Sequence, residues 1–154
     1  MRLISNVLLF IGAVSISIQD LKEHKILNQK VLILFICLVL LAILTNTFTL
    51  HFLSGLTFIA IFALLYLAGK WFPSFGTIGF GDVKLVSVMA FGYVDFGKRS
   101  AMAFLLFLWL ALILQIGIQL IHQRKIFSRM AMAPSIFFAI ALYLYAPIQL
   151  HLSQ

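Results

Sequence analysis

The chain has 154 residues, of which 64% are apolar and 10% are charged, and its mean hydropathy is +1.15. An ordinary soluble domain is about 45–50% apolar and about 25% charged, so this composition excludes a water-soluble globular protein, a disordered chain and a nucleic-acid-binding domain. The net charge is +7, from 11 Lys and Arg residues against 4 Asp and Glu residues, and in a membrane protein such an excess sets topology and contacts anionic headgroups. We therefore expect an integral membrane protein.

Six apolar segments are predicted to be transmembrane helices, which gives an all-α fold with short loops. One crossing takes roughly 20 residues, so six use about 120 and leave no room for a soluble domain. The segments are Leu3–Gln19, two within Val31–Gly69, Asp82–Phe96, Ala101–Ile121 and Met132–Ile148. Polar residues 45–47 supply the turn that divides the uncharged stretch 31–69. The fourth segment is the shortest of the six.

Basic residues predict the orientation of these segments. With six crossings, the side that holds residues 20–30 carries eight Lys and Arg residues, and the other side carries three. The two sets are Lys22, Lys25, Lys30, Lys70, Lys84, Arg124, Lys125 and Arg129, against Arg2, Lys98 and Arg99. The excess marks the first side as cytoplasmic and places both termini outside. Because most of the nearby charge follows the first segment, that segment is not expected to be a cleaved signal peptide.

Four acidic residues are present, and two of them are predicted to share one face of the membrane. Asp20 ends the first predicted helix and Asp82 begins the fourth, with two crossings between them. Because the chain crosses the membrane an even number of times between them, both carboxylates are expected at the same side and at similar depth. This holds even if the fourth segment does not cross. Asp95 falls at the opposite end of that segment, and Glu23 lies in a charged loop.

The helix face that carries Asp20 is predicted to point into the bundle. At 100° per residue, the residues that share this face are small or polar, namely Ser17, Ala13, Asn6 and Ser5. Small residues let membrane helices approach closely. An ionisable residue on such a face is a candidate functional group.

Glycines surround the second carboxylate. Gly76, Gly79 and Gly81 fall within the six residues before Asp82, and glycine permits unusual backbone angles and close approach of another chain. A positive φ is the expected reason for Gly81, because it stands where the loop becomes a helix. The preceding stretch 71–75 contains a proline and large aromatic residues and is interpreted as a loop at the membrane edge.

Two carboxylates at one site suggest the chemistry of an aspartic protease. Like charges at close range cannot both ionise easily, so the pair shares a proton. The ionised member can activate water, and the protonated member can polarise a peptide carbonyl. Two alternatives stay open at this point: solvated acids at helix ends, or a small transporter that uses the two acids as ion or proton sites.

The aspartate motifs resemble those of the type IV prepilin peptidase family, which are membrane aspartic proteases with a Gly-x-Gly-Asp motif. Residues 79–84, Gly-Phe-Gly-Asp-Val-Lys, look like the family's Gly-x-Gly-Asp-x-Lys. Residues 20–28 look like its first-aspartate motif, with Asn28 eight residues after Asp20. Residues 133–139 look like the proline-containing start of its last helix. The resemblance covers nearly the whole chain.

The chain departs from the family pattern at three positions. Leu27 stands where a proline is usual, Ala131 stands where a first proline of the last motif is common, and Ser135 stands where an aromatic residue is usual. Larger members carry a cytoplasmic N-terminal region, often with a four-cysteine zinc site, and also N-methylate the pilin. Here 19 residues precede Asp20 and there is one cysteine. The resemblance is therefore to the minimal branch, with one polytopic peptidase domain over residues 1–154 and no soluble methyltransferase region.

The resemblance implies the roles of four residues. Asp20 and Asp82 would be the catalytic pair, while Gly79 and Gly81 would shape the loop that brings Asp82 to the substrate. The implied activity is cleavage of the leader of prepilin-like or pseudopilin precursors, after a glycine, at the cytoplasmic face of a bacterial inner membrane. The implied partners are these precursors and membrane lipid, with no nucleic acid and no cofactor.

Two further residues are expected to support the site. Lys84 lies about 200° from Asp82 on a helix, so it is expected to point away and to reach the cytoplasmic headgroups. Asn28 is expected to cap the second helix. The histidines show no metal-ligand spacing, and Cys37, the only cysteine, excludes a disulfide and a cysteine zinc site and is expected to pack in the core. No metal is predicted.

One other membrane protease shares the Gly-x-Gly-Asp motif. A presenilin-like intramembrane protease would place its first acid within a helix, whereas Asp20 here lies in a charged motif, Gln-Asp-Leu-Lys. Pro134 also lacks the Ala-Leu that would follow it in such a protease. The prepilin peptidase interpretation is therefore preferred.

Overall fold

The computed structural model describes residues 2–71, 78–123 and 131–145. These residues form six α-helices and no strand, which confirms the all-helical prediction. The helices are α1 Arg2–Glu23, α2 Asn28–Leu44, α3 Phe48–Trp71, α4 Phe80–Tyr93, α5 Lys98–Gln123 and α6 Ala133–Tyr145. Two of the described helices, α3 and α5, are long and apolar enough to span a membrane, and α2 and α6 are shorter apolar helices.

The turn that divides the second and third helices lies where the sequence predicted it. The Thr45 hydroxyl donates to the carbonyl of Leu41 at 2.9 Å and lies 2.7 Å from the hydroxyl of Thr47. Asn46 follows with a φ of 55°, a left-handed conformation that asparagine tolerates better than most residues. These polar contacts end α2 and reverse the chain into α3.

The first helix is longer than predicted. It continues to Glu23, so Asp20 lies within its last turn and not at its end. His24 then ends the helix with a φ of 49°, and its N–H donates to the carbonyl of Asp20 at 2.9 Å. The predicted end of the sixth segment, at Ile148, lies outside the described residues.

The predicted inward face of α1 is correct near Asp20 and wrong at the other end. Asp20 is buried with 4% of its surface exposed, and Ala13 and Ser17 are half-buried. Asn6, however, is exposed, and the side chain of Ser5 lies outside the described residues. The buried positions about one and three turns before Asp20 are instead Ile16 and Leu9, so α1 packs by apolar contact where small residues were expected.

Helix α4 forms the centre of the bundle. It packs against α2, α3 and α6, and Leu85, Val86, Met89 and Ala90 on it are fully buried. Its 14 residues give a length of about 21 Å, less than the roughly 30 Å of a bilayer core. The predicted fourth crossing is therefore not confirmed, and α4 is held by its neighbours on several sides.

Close contact between α3 and α4 depends on Gly55. A Cβ atom at this buried position would lie 3.0 Å from the Cβ atom of Phe91. One residue earlier, the Ser54 hydroxyl donates to the carbonyl of Ala90 at 3.3 Å. A small residue and a hydroxyl thus let the two helix backbones approach, and this contact fixes the position of α4.

We predict that Gly55→Val destabilises the bundle, because the added side chain pushes against Phe91 and overpacking costs about 1–3 kcal/mol. Gly117→Val on α5 is the matched control, since a Cβ atom there meets no atom within 4 Å. Thermal unfolding of the purified protein in detergent is expected to show a lower midpoint for Gly55→Val only. An equal midpoint for Gly55→Val and the wild type would contradict the proposed contact.

Candidate active site

All six residues that the sequence singled out line one cavity of about 440 Å³. They are Asp20, Asn28, Gly79, Gly81, Asp82 and Lys84. The end of α1, the loop 24–27, the start of α2 and the first turn of α4 build its walls. Asp95 is exposed beyond the other end of α4, about 20 Å away along the helix. Asp20 and Asp82 thus lie together, and Asp95 lies apart from them, at the other end of α4.

Asp20 is held by the start of α6. Its Oδ2 atom accepts a hydrogen bond from the backbone N–H of Ala133 at 2.9 Å, and Ala133 is fully buried. Ala133 is the first residue of α6, and the N–H groups at the start of a helix suit a carboxylate. The sequence singled out residues 133–139 through a family motif, but nothing in the pattern showed that its backbone would contact Asp20.

Asp82 lies against the backbone of Gly79. The N–H of Asp82 donates to the carbonyl of Gly79 at 3.0 Å, which begins the first turn of α4. A Cβ atom on Gly79 would lie only 2.7 Å from Oδ2 of Asp82. Gly79 has φ −68° and ψ 139°, angles that any residue adopts. A side chain at this position would therefore displace the Asp82 carboxyl group, whereas the backbone conformation itself suits any residue.

The surroundings of Asp82 favour its protonated form. Asp82 lies in the first turn of α4, outside the two helices that are long enough to span a membrane. Burial, and then the charge of Asp20, raise the pKa of Asp82 from 3.8 to about 7, although a backbone hydrogen bond from Gly79 acts in the opposite direction. The two carboxyl groups are thus close enough to influence each other, and a neutral Asp82 can act as a proton donor near pH 7.

The expectation of a positive φ at Gly81 is wrong. Gly81 lies within α4 and its φ is outside the left-handed region. A Cβ atom there would instead lie 3.2 Å from the Cβ atom of Ile26. Gly81 thus makes room for the loop after α1, so that this loop can close against the start of α4.

The expectations for Lys84 and Asn28 are also corrected. Lys84 does not point away from the site: its Nζ atom donates to Oδ1 of Asn28 at 3.1 Å and lies 4.6 Å from the ring centre of Phe80. Asn28 does not cap α2, because the cap position is Leu27 and no side chain bonds there. The flexible stem of the lysine overrides the direction of its Cα–Cβ bond, and the asparagine carbonyl serves as its acceptor.

An apolar groove of about 640 Å³ adjoins the cavity. It lies between α2, α3 and α4 and shares Asn28, Phe80 and Lys84 with the cavity. Away from this polar end, its lining is almost entirely apolar, with Phe35, Leu32, Phe52, Leu56, Ile59, Ala63 and Val88 among its residues. The Lys84–Asn28 hydrogen bond therefore stands where the groove meets the carboxylates.

Metal ligands do not gather at this site. Across residues 2–71, 78–123 and 131–145, no group of three His, Cys, Asp or Glu side chains is placed to hold a metal ion. Cys37 is a half-buried free thiol on α2. The polar groups that line the cavity are the carboxyl pair, the amide of Asn28, the imidazole of His24 and the amines of Lys25 and Lys84.

We predict that one aspartate titrates near pH 7 and that this midpoint falls in Asp20→Asn, because a neutral side chain no longer repels the charge of Asp82. The chain contains three aspartates, so carbon NMR of protein with labelled Asp carboxyl groups resolves them. Asp82→Asn assigns the signal by removing it, and Asp95→Asn serves as the control that leaves it unchanged. A midpoint near 4 for all three carboxyl groups would contradict the description of this site.

Comparison with known proteins assigns no function to this site. No family model, curated protein or solved structure matches the chain. The likeness to prepilin peptidases thus depends on the residues of the two aspartate motifs. What the structure adds is the placement of those residues in one cavity.

Proposed function

We propose that this chain is a membrane aspartic endopeptidase of the type IV prepilin peptidase kind, which removes the leader from prepilin-like precursors. The observation that carries the proposal is the convergence of Asp20 and Asp82 on one cavity, although 61 residues separate them in the chain. The burial of Asp20 and the raised pKa of Asp82 support a pair in which one carboxyl group carries a proton.

The proposed reaction uses each carboxyl group for one task. Asp20, as the acceptor, takes a proton from a water molecule, whose oxygen then attacks the carbonyl carbon of the scissile peptide bond. Asp82, as the donor, gives its proton to the carbonyl oxygen, which yields a neutral gem-diol. When the intermediate collapses, the C–N bond breaks, the leaving nitrogen takes up the proton held by Asp20, and a hydroxyl proton returns to Asp82. Both carboxyl groups thus return to the protonation states that they had before the reaction.

The surface supports a location in the membrane. Large apolar side chains are exposed on the helices, including Phe10 at 69%, Trp109 at 68% and Ile121 at 84%. Soluble monomers rarely expose apolar patches larger than about 300–600 Å². We propose six helices in a bacterial inner membrane, with both termini outside and the cavity at the cytoplasmic side, where His24, Lys25 and Leu27 of the α1–α2 loop are exposed.

The groove beside the cavity supports a substrate with an apolar segment next to its cleavage site. A peptide that crosses the cavity would pass the Lys84–Asn28 pair and continue along α4 between α2 and α3. Lysine and the basic loop residues repel a leader rich in Lys and Arg, so recognition would depend on this apolar contact. Burial of apolar area would supply about 25 cal/mol for each Å² covered.

We predict that Asp20→Asn and Asp82→Asn each abolish cleavage, while Asp95→Asn retains it. Asparagine has nearly the volume of aspartate, so the loss is expected from chemistry and not from folding. The assay is coexpression with a candidate prepilin at matched membrane levels of each variant, with leader removal followed as a mobility shift. Full activity in either single variant would refute the carboxyl pair. Ion flux without substrate, together with no cleavage, would favour the transporter.

We predict that Ala63→Trp raises KM several-fold and leaves kcat within about twofold, because the indole occupies the groove and not the cavity. Leu64→Trp is the matched control, since Leu64 is the next residue of α3, is 67% exposed and does not line the groove. Initial rates over a range of prepilin concentrations in detergent separate the two constants. Equal KM values for the two variants would exclude the groove as the substrate site.

A further inference from the structure

One side chain of α5 makes hydrogen bonds to two residues at the start of α6. The Gln115 amide nitrogen donates to the carbonyl of Ala131 at 2.6 Å, and its amide oxygen accepts a hydrogen bond from the hydroxyl of Ser135. Ala131 and Ser135 are both buried, with 2% and 3% of their surfaces exposed. Gln115 thus bridges the residues on either side of the first turn of α6.

Between these two anchors lies the N–H group that contacts Asp20. Ala133 is midway between Ala131 and Ser135, and its N–H donates to Oδ2 of Asp20. Pro134 has no N–H group, and the N–H of Ile136 is already paired with the carbonyl of Met132 at 3.1 Å. The donor to Asp20 is thus a backbone group, and its position is set by where the backbone of α6 begins.

We propose that Gln115 is a positioning residue for Asp20, which it controls through the backbone of residues 131–135. Gln115 itself does not line the cavity. Its effect on catalysis rests on the proposed function, but its effect on the Asp20 hydrogen bond does not. Sequence inspection missed this residue because Gln115 lies in a long apolar segment with no motif around it.

Loss of the Gln115 amide would release the start of α6. The buried carbonyl of Ala131 and the hydroxyl of Ser135 would each lose a partner, and buried polar groups without partners are unfavourable. The first turn of α6 would shift to recover these hydrogen bonds, and the N–H of Ala133 would move with it. A displacement of about 1 Å at a catalytic group can lower the rate by about 100-fold.

The first test compares Gln115→Leu with Gln119→Leu, the same chemical change one turn further along α5. We expect Gln115→Leu to lower kcat for prepilin cleavage at least tenfold with KM within twofold, and Gln119→Leu to keep both constants. A change that acts only on folding would lower the amount of protein in the membrane and leave kcat per folded molecule unchanged. Wild-type kcat in Gln115→Leu would overturn the proposed role in catalysis.

The second test needs no catalytic activity. A hydrophobic carbodiimide couples to protonated carboxyl groups, and mass spectrometry of peptides locates the adduct. The N–H of Ala133 covers Oδ2 of Asp20, and its loss leaves that oxygen open to the reagent. We therefore expect the labelling of Asp20 to rise several-fold in Gln115→Leu and to match the wild type in Gln119→Leu. Equal labelling of Asp20 in all three proteins would overturn the proposal.

These measurements separate the two proposals. If the wild type cleaves no prepilin, the proposed function fails, while the labelling of Asp20 still decides the role of Gln115. If Gln115→Leu does not accumulate in the membrane, Ser135→Ala takes its place, because it removes one of the two hydrogen bonds of Gln115. Increased Asp20 labelling in Ser135→Ala supports the role of Gln115, and unchanged labelling refutes it.

Discussion

A carboxylate buried in an apolar bundle needs a hydrogen-bond donor, and the arrangement of this protein follows from how Asp20 obtains one. The donor is the N–H of Ala133, so α6 must begin beside the last turn of α1. Because α6 also packs against α4 and α5, the contact ties the first helix to the centre of the bundle. Asp82 then lies near Asp20 because it occupies the first turn of α4, and the Coulombic effect of one carboxyl on the other follows.

Most of the helices and the grouping of the site residues could be predicted from the sequence. Long apolar runs and the polar turn at 45–47 are properties of the chain alone. The reversal of the chain between α2 and α3 that they predict brings Asp20 and Asp82 to one cavity. The glycines beside Asp82 were also recognised as positions of close approach. In each case a pattern within one short stretch of sequence determines where a helix, a turn or a close contact lies.

The corrections concern contacts between distant parts of the chain. Lys84 bonds to Asn28, which lies 56 residues away in the chain, and Gly81 makes room for Ile26. The periodicity of a single helix shows which way a residue faces, but it does not show which residue of another segment lies opposite. The exposure of Asn6 depends on how α1 tilts against its neighbours, which periodicity does not fix. The fourth helix has nearly its predicted length and begins two residues earlier. That it crosses the membrane does not follow from its sequence, because apolar composition reports burial and does not distinguish a protein neighbour from lipid.

The two glycines of the Gly-Phe-Gly-Asp sequence are under different evolutionary constraints. The neighbour of Gly79 is a terminal oxygen of Asp82, so an added methyl group there can be accommodated only if the carboxyl group turns away. The neighbour of Gly81 is the Cβ atom of Ile26, which every residue except glycine carries, so a shorter side chain at position 26 makes no more room. Homologous chains that keep this loop against the start of the fourth helix should thus keep glycine at the second position, whereas alanine at the first should accompany a different orientation of the aspartate.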